Sequence, residues 1–227
     1  MKCFITGASS GLGLRLTVDL LKNMQAVIGT YYSNPQPLLY LQKKFTKLHP
    51  QYLYLKESEK LEVEDTSLDA LIFYAGAISS KLLLKETTAN FVEQIETNLS
   101  SSYKLCQKLI PKLKSSGNAH IIFISSFSAL HGNVGQTSYS TAKSALSGMA
   151  QGLARELAPD NIKVNVVLPG FMKSKQTLAL PVAVKNSYRE ANLLHRSNTL
   201  QEISKFILHL LSTKNISGQT FNLDSRA

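Results

Sequence analysis

Tyr139 and Lys143 stand four residues apart in Tyr139-Ser-Thr-Ala-Lys143, and Ser126 stands thirteen residues before Tyr139, just past the apolar run Ile121–Ile124. On a helix, a spacing of four puts two side chains on one face, so an ammonium comes close to a phenol. An isolated phenol titrates at about pH 10, and a neighbouring cation favours the phenolate and draws that value toward neutrality. The pair is a proton donor in outline. Taken alone it is weak, because the same spacing falls by chance on many helices, where a solvated Lys stands beside a surface Tyr.

The amino-terminal segment supplies a second constellation. Lys2–Thr6 is a short run with strand character, followed at once by Gly7, Ala8, Ser9, Ser10, Gly11, Leu12 and Gly13, and then by the helical pattern Leu14, Leu16, Val18, Leu20 and Leu21. Strand, glycine turn and helix make half of a βαβ unit. Gly7 permits the tight turn, Gly11 lets backbone approach a pyrophosphate at the helix N-terminus, and Gly13 allows helix and strand to pack closely. A plain Gly/Ser turn is the competing explanation of a lone G-x-x-x-G-x-G.

The elements that must position these residues alternate. Strands are expected at 2–6, 25–31, 51–55, 70–74, 119–125, 162–168 and 219–223, and helices at 11–22, 37–47, 88–114, 139–157 and 199–211. Such alternation implies an α/β fold with a doubly wound, mostly parallel seven-stranded sheet and helices on both faces. Ligand is then expected outside the carboxyl ends of the strands. No repeat, low-complexity tract or linker divides the chain, so residues 1–227 read as one domain holding all the candidate residues, with Pro35-Gln-Pro37 as a turn.

Composition agrees. The 227 residues are 44% apolar and 18% charged, enough for one sizeable core. Cys3 and Cys106 lack metal-ligand spacing and read as small packed apolar groups, which fits a reducing compartment. No leader-like segment or apolar run of membrane-spanning length is visible, so a cytoplasmic protein away from membranes is expected. The net charge of +10 comes from scattered lysines without an arginine-rich run, which speaks against nucleic acid. One ordered set, Lys104, Lys108 and Lys112, recurs opposite an apolar series that includes Leu99, Cys106, Leu109 and Leu113. It reads as a solvated helix face or as a surface for an acidic carrier protein.

Taken together, Thr6–Gly13, Ser126, Tyr139–Lys143 and Asn165–Gly170 resemble the short-chain dehydrogenase/reductase family, in order and spacing, over nearly the whole chain. Within the family, Glu96–Ser101, Gly132–Gln136 and the Asn165–Phe171 stretch are most similar to 3-oxoacyl-carrier-protein reductases. The resemblance implies a Rossmann-like three-layer sandwich and a nicotinamide cofactor that delivers hydride to a carbonyl carbon. It further implies that Tyr139 donates a proton to the carbonyl oxygen and that Ser126 hydrogen-bonds that oxygen. Lys143 is expected to lower the Tyr139 pKa and hold the nicotinamide ribose, and Asn98 to position a water that relays protons to Lys143. Cofactor contacts are expected from Gly7, Ser9, Ser10, Gly11, Leu12, Gly13, Ala75 and Gly76. At the nicotinamide end they are expected from Tyr139, Lys143, Pro169, Gly170, Met172 and Ser174.

Cofactor choice is expected at the end of the second strand. An Asp or Glu there would hold a ribose 2′-hydroxyl and repel a 2′-phosphate, but this chain carries Tyr32, Ser33 and Asn34. NADP(H) is therefore the expected cofactor, with NAD(H) still open because the usual basic clamp is replaced by Ser10 and Arg15 faces elsewhere. Three departures from the family pattern stand out. Tyr74 replaces an Asn that ties strands together, Lys56–Lys60 replaces the usual wall near adenine, and Ser115–Asn118 with Asp160-Asn161 replace basic carrier-docking residues. The segment 171–190 reads as a small substrate lid.

Three functions follow from this reading. The first is an NADP(H)-dependent reductase of a small-molecule carbonyl, including a 3-oxoacyl thioester on a carrier protein as in fatty acid biosynthesis. The alternatives are an NAD-dependent alcohol dehydrogenase of the same family and a catalytically weak dinucleotide-binding regulator. The resemblance also implies a homodimer or homotetramer paired through the helices at 88–114 and 139–157, and no metal.

Overall fold

A computed structural model describes residues 1–172, 177 and 181–226. Seven strands lie in the order β3-β2-β1-β4-β5-β6-β7, every neighbouring pair parallel. They are β1 (Lys2–Thr6), β2 (Ala26–Tyr31), β3 (Leu48–Tyr52), β4 (Ala70–Phe73), β5 (His120–Ile124), β6 (Lys163–Leu168) and β7 (Thr220–Asn222). Of the five inner strands, β4, β5 and β6 are buried along their whole length, as expected of a parallel sheet covered on both faces.

The helices are α1 (Gly11–Lys22), α2 (Gln36–Gln42), α3 (Thr88–Ile95), α4 (Ser101–Leu113), α5 (Ser128–His131), α6 (Thr137–Glu156), α7 (Val182–Glu190) and α8 (Leu200–Ser212). On one face of the sheet, Phe4, Leu71 and Phe123 pack with Leu105 and Leu109 of α4 and Leu146 of α6. On the other, Ile5, Ile72 and Ile122 pack with Leu12, Leu16 and Leu20 of α1 and Ile203 and Ile207 of α8. Cys3 and Cys106 are free and buried, and burial pushes the Cys3 thiol up to about 12. Among the described residues, no helix is long and apolar enough to cross a membrane.

The strand order reverses between β1 and β4, the switch point at whose carboxyl ends a sheet of this kind is expected to take its ligand. The glycine turn enters from β1 and Tyr74, Ala75 and Gly76 from β4. A methyl built on Gly7, which has φ +70°, would lie 3.1 Å from the Ala75 Cα, so the two walls touch.

Several expected boundaries move. β3 occupies Leu48–Tyr52 instead of 51–55, because the fully buried Leu48 pairs with Val27, while Pro50 is tolerated on this edge strand. The expected 37–47 helix ends at Gln42 in turns that return the amides of Lys44 and Phe45 to the Leu41 carbonyl. The expected 88–114 helix is interrupted by a π turn at Glu96–Ser100. There the Asn98 side chain donates to the Gln94 carbonyl at 3.1 Å, intruding on the backbone ladder. α5 and α7 are additions to the expected elements.

A 3-10 turn, Leu55–Lys60, stands where the chain is too short for a longer helix. The lysine stripe of α4 holds it in place. Lys104 pairs with the Glu59 carboxylate at 3.3 Å, Lys108 donates to the Glu59 carbonyl at 2.8 Å, and Lys112 donates to the Asp65 carbonyl at 2.9 Å. The stripe is therefore a clamp on the 55–65 segment and not a bare solvated face.

Candidate active site

Tyr139 and Lys143 lie in the first two turns of α6, both buried, with the ammonium 6.0 Å from the phenol ring centre. The Ser125 hydroxyl donates to the Lys143 carbonyl at 2.8 Å and so ties α6 to the end of β5. Lys143 in turn donates its ammonium to the Ile124 carbonyl at 3.0 Å. Burial drags its pKa from 10.5 down to about 8.

Ser126 stands beside the Tyr139 phenol, close enough to lower its pKa, so the third residue of the constellation joins the first two. The electrostatics differ from expectation, however. The Tyr139 pKa is raised by burial; the neighbouring Ser126 opposes this, and the nearby Tyr74 adds to it. The Lys143 ammonium is turned to the Ile124 carbonyl, and both it and the phenol are out of water. Desolvation outweighs attraction in this arrangement.

The loop after Ser126 is held by a small polar network. Gln136 accepts from the Ser128 hydroxyl at 3.1 Å and from the Asn133 amide at 3.0 Å, and the Ser128 amide donates to Ser126 Oγ at 3.2 Å. Glu86 accepts from Ser138 at 2.6 Å and fixes the start of α6 against the segment before α3.

Asn98 is buried at the same switch point. Its amide donates to the Ala77 carbonyl at 2.9 Å, and its oxygen accepts the Ala77 amide at 3.2 Å. A methyl on Gly76 would lie 2.3 Å from Asn98 Oδ1 and 3.6 Å from the Lys143 ammonium, which puts Asn98, Gly76 and Lys143 in one cluster. The Asn98 side chain is engaged by protein on both its oxygen and its nitrogen. Gln94, buried and accepting from the same amide at 3.3 Å, is a member that sequence reasoning missed.

The glycine turn has the backbone geometry of an anion cradle. Gly11 has φ +50°, and a methyl on Gly13 would lie 2.3 Å from the Gly7 carbonyl oxygen, so helix and strand meet at a distance only glycine allows. Ser10 caps α1 without a side-chain hydrogen bond, which leaves first-turn amides directed outward near the exposed Ser10 and half-buried Ser9. These residues fit a dinucleotide pyrophosphate. Tyr74 leans over them, with its ring against Gly13 and its hydroxyl against Gly11. The strand tie expected from an Asn is supplied by Thr6, whose hydroxyl accepts the Tyr74 and Ala75 amides at 3.0 Å each.

At the end of β2, Tyr32, Ser33 and Asn34 are exposed. Tyr32 stacks on Tyr54 with ring centres 5.2 Å apart and also meets Tyr52, an aromatic group the sequence reading did not foresee. Asn34 accepts the Gln36 amide at 3.1 Å and starts α2. Arg15 is committed to Asp19 at 2.8 Å.

Pro169 and Gly170 are buried at the end of β6, and Met172 bridges to Asn198. A methyl on Gly170 would lie 2.8 Å from both Asn198 and Asp224. Ser174 lies outside the described residues. Next to Ser126, the Arg226 guanidinium lies 3.7 Å from the Phe127 ring centre and 5.1 Å from that of Tyr188, and it is ion-paired with Asp224. Nothing in local sequence pattern links residue 226 to residue 127.

Among the described residues no group of His, Cys, Asp and Glu could hold a metal ion. A family model described as short chain dehydrogenase matches residues 2–181. The chain is 33% identical to a 3-oxoacyl-(acyl-carrier-protein) reductase FabG of Buchnera aphidicola subsp. Baizongia pistaciae, covering 97% of this chain and 94% of the relative. It is 30% identical to the FabG of Aquifex aeolicus, over 92% of this chain and 88% of that protein. Nodulation protein G of Rhizobium sp. strain N33 is 28% identical over 98% and 95%. The parallel sheet, the glycine turn at its switch point and these likenesses agree: the chain belongs to the short-chain dehydrogenase family and is an oxidoreductase of that type.

Proposed function

We propose that this enzyme reduces the carbonyl of a 3-oxoacyl thioester with NADP(H) in the cytoplasm, as a homodimer or homotetramer. The observation that carries the reading is the buried Tyr139 phenol standing beside Ser126 and one helical turn from Lys143, whose ammonium lies near Gly76. When bound, the nicotinamide supplies hydride to the carbonyl carbon. The remaining steps belong to the chain. Ser126 donates a hydrogen bond to the substrate oxygen as negative charge develops there, and Tyr139 gives that oxygen a proton. Lys143 holds positive charge under the ribose; its lowered pKa lets it pass a proton to Tyr139 after turnover. Asn98 positions Lys143 by clamping Ala77 and Gly76 beneath it.

Gly7, Ser9, Ser10, Gly11, Leu12 and Gly13 would hold the pyrophosphate, and Ala75, Gly76, Pro169, Gly170, Met172 and Ser174 would line the rest of the dinucleotide. The preference for NADP(H) is supported by the absence of an acidic side chain at Tyr32–Asn34. Carrier-linked substrates are supported by the names of the FabG relatives and by the net charge of +10. In this reading α4's lysine stripe does not dock the carrier, since it is spent on the 55–65 segment.

The test is a reductase assay with NADPH and NADH on acetoacetyl thioesters of coenzyme A and of carrier protein. NADPH-dependent turnover is expected, abolished by Tyr139→Phe with dinucleotide binding retained. A clear NADH preference, or turnover unchanged in Tyr139→Phe, would overturn the reading.

A further inference from the structure

The Tyr74 side chain occupies ground that a bound pyrophosphate would need. A methyl on Gly11 would lie 2.5 Å from the Tyr74 hydroxyl oxygen, and one on Gly13 would lie 2.8 Å from its ring. The hydroxyl and the ring therefore stand directly against the faces of Gly11 and Gly13 where a side chain would otherwise project. The Tyr74 oxygen lies near the Leu12 amide, in the first turn of α1. That amide belongs to the set that the end of a helix directs toward an anion.

The phenol is a neutral substitute for that anion. Burial raises its pKa, so it does not ionise at neutral pH. A neutral acceptor satisfies one N–H but draws little from the helix dipole, whereas a phosphate oxygen draws more. The Tyr74 backbone is pinned, because its amide donates to Thr6 Oγ1 at 3.0 Å and β4 pairs with β1 through Phe73. Release of the turn therefore requires the side chain to rotate while the strand end stays fixed.

We propose that Tyr74 is a self-occluding latch: in the free enzyme its phenol holds the Leu12 amide and covers Gly11 and Gly13, and a dinucleotide must displace it to bind. This rests on the dinucleotide reading of the glycine turn. The latch lowers apparent affinity by the fraction of molecules in which it is closed.

The experiment measures NADPH and NADH dissociation constants by calorimetry on the wild type, Tyr74→Phe and Tyr74→Asn, with folding checked by circular dichroism. Tyr74→Phe keeps the ring and loses the hydroxyl near the Leu12 amide, and is expected to bind about three- to tenfold tighter. Tyr74→Asn removes the ring and is expected to bind at least as tightly as Tyr74→Phe. In stopped flow, the wild type should show an observed binding rate that levels off at high dinucleotide, and Tyr74→Asn should lose that limit. Equal or weaker binding by a folded Tyr74→Phe would overturn the latch while leaving the dinucleotide reading in place. Absence of binding in all three proteins would overturn both.

Discussion

Lys143 donates its ammonium to the carbonyl of Ile124 at 3.0 Å, a helix residue gripping the last residue of β5, two positions before Ser126. A cation this deeply buried costs stability in its charged form, and its pKa accordingly falls from 10.5 to about 8. Below pH 8 the full cost is present. Between pH 8 and 10.5 the unfolded chain binds more protons than the folded one, so stability rises with pH across that window. Lys143→Met is expected to be more stable than wild type at pH 7, on the order of 2 kcal/mol after the orphaned carbonyl is set against the removed charge. Thermal melts from pH 7 to 10.5 should show the advantage shrinking, and an advantage that grows with pH would contradict this account. Activity should fall at least about a hundredfold.

Ser126→Ala removes a hydroxyl that stands beside the Tyr139 phenol and counteracts its raised pKa. The variant is expected to lose roughly a hundred- to a thousandfold in kcat, as for other single donors to a developing oxyanion. Because that hydroxyl favours the phenolate, its loss should move the Tyr139 titration upward. The alkaline limb of the pH profile should therefore shift to higher pH; a shift to lower pH would contradict the assignment.

His120 is buried at the start of β5, with neither ring nitrogen partnered among the described residues and with Lys163 nearby. Burial first, and Lys163 second, push its pKa from 6.5 to about 4. Its contribution to stability is fully present above pH 6.5 and is lost as pH falls toward 4, because the unfolded chain takes up the proton first. Wild type should lose on the order of 3 kcal/mol through this group over that window. Denaturant melts of His120→Leu should show a flatter acid profile, and an unchanged profile would assign the acid sensitivity elsewhere.

Thr6→Val keeps the shape of the side chain but removes the oxygen that accepts from both Tyr74 and Ala75. Two amides at the end of β4 then lack a partner, for an expected loss of about 2–3 kcal/mol in urea melts. Dinucleotide affinity should also fall, since these amides hold the β4 end opposite the glycine turn. A loss under about 0.5 kcal/mol, typical of an exposed surface substitution, would show that solvent replaces Thr6.

Most of the candidate grouping was legible in the chain itself. Tyr139, Lys143 and Ser126 meet because a four-residue helical spacing and a strand ending at Ile124 are local facts, and Gly7, Gly11 and Gly13 announce a turn that side chains would block. The alternation of strands and helices likewise determined a parallel sheet, with ligand expected at the strand ends. Boundaries were less legible where tertiary pairing outweighed local pattern, as at Leu48 in β3 and at Asn98 in the π turn.

Only the tertiary structure decided what acts on these groups from a distance in sequence. Tyr74, 65 residues before Tyr139, stands against the glycine turn. Lys143 turns to Ile124 and not toward the phenol, and Arg226 comes to rest on Phe127. The physical reason is common to all three. Spacing along one element determines which side chains share a face, but desolvation and hydrogen-bond partners depend on what the rest of the chain packs against that face.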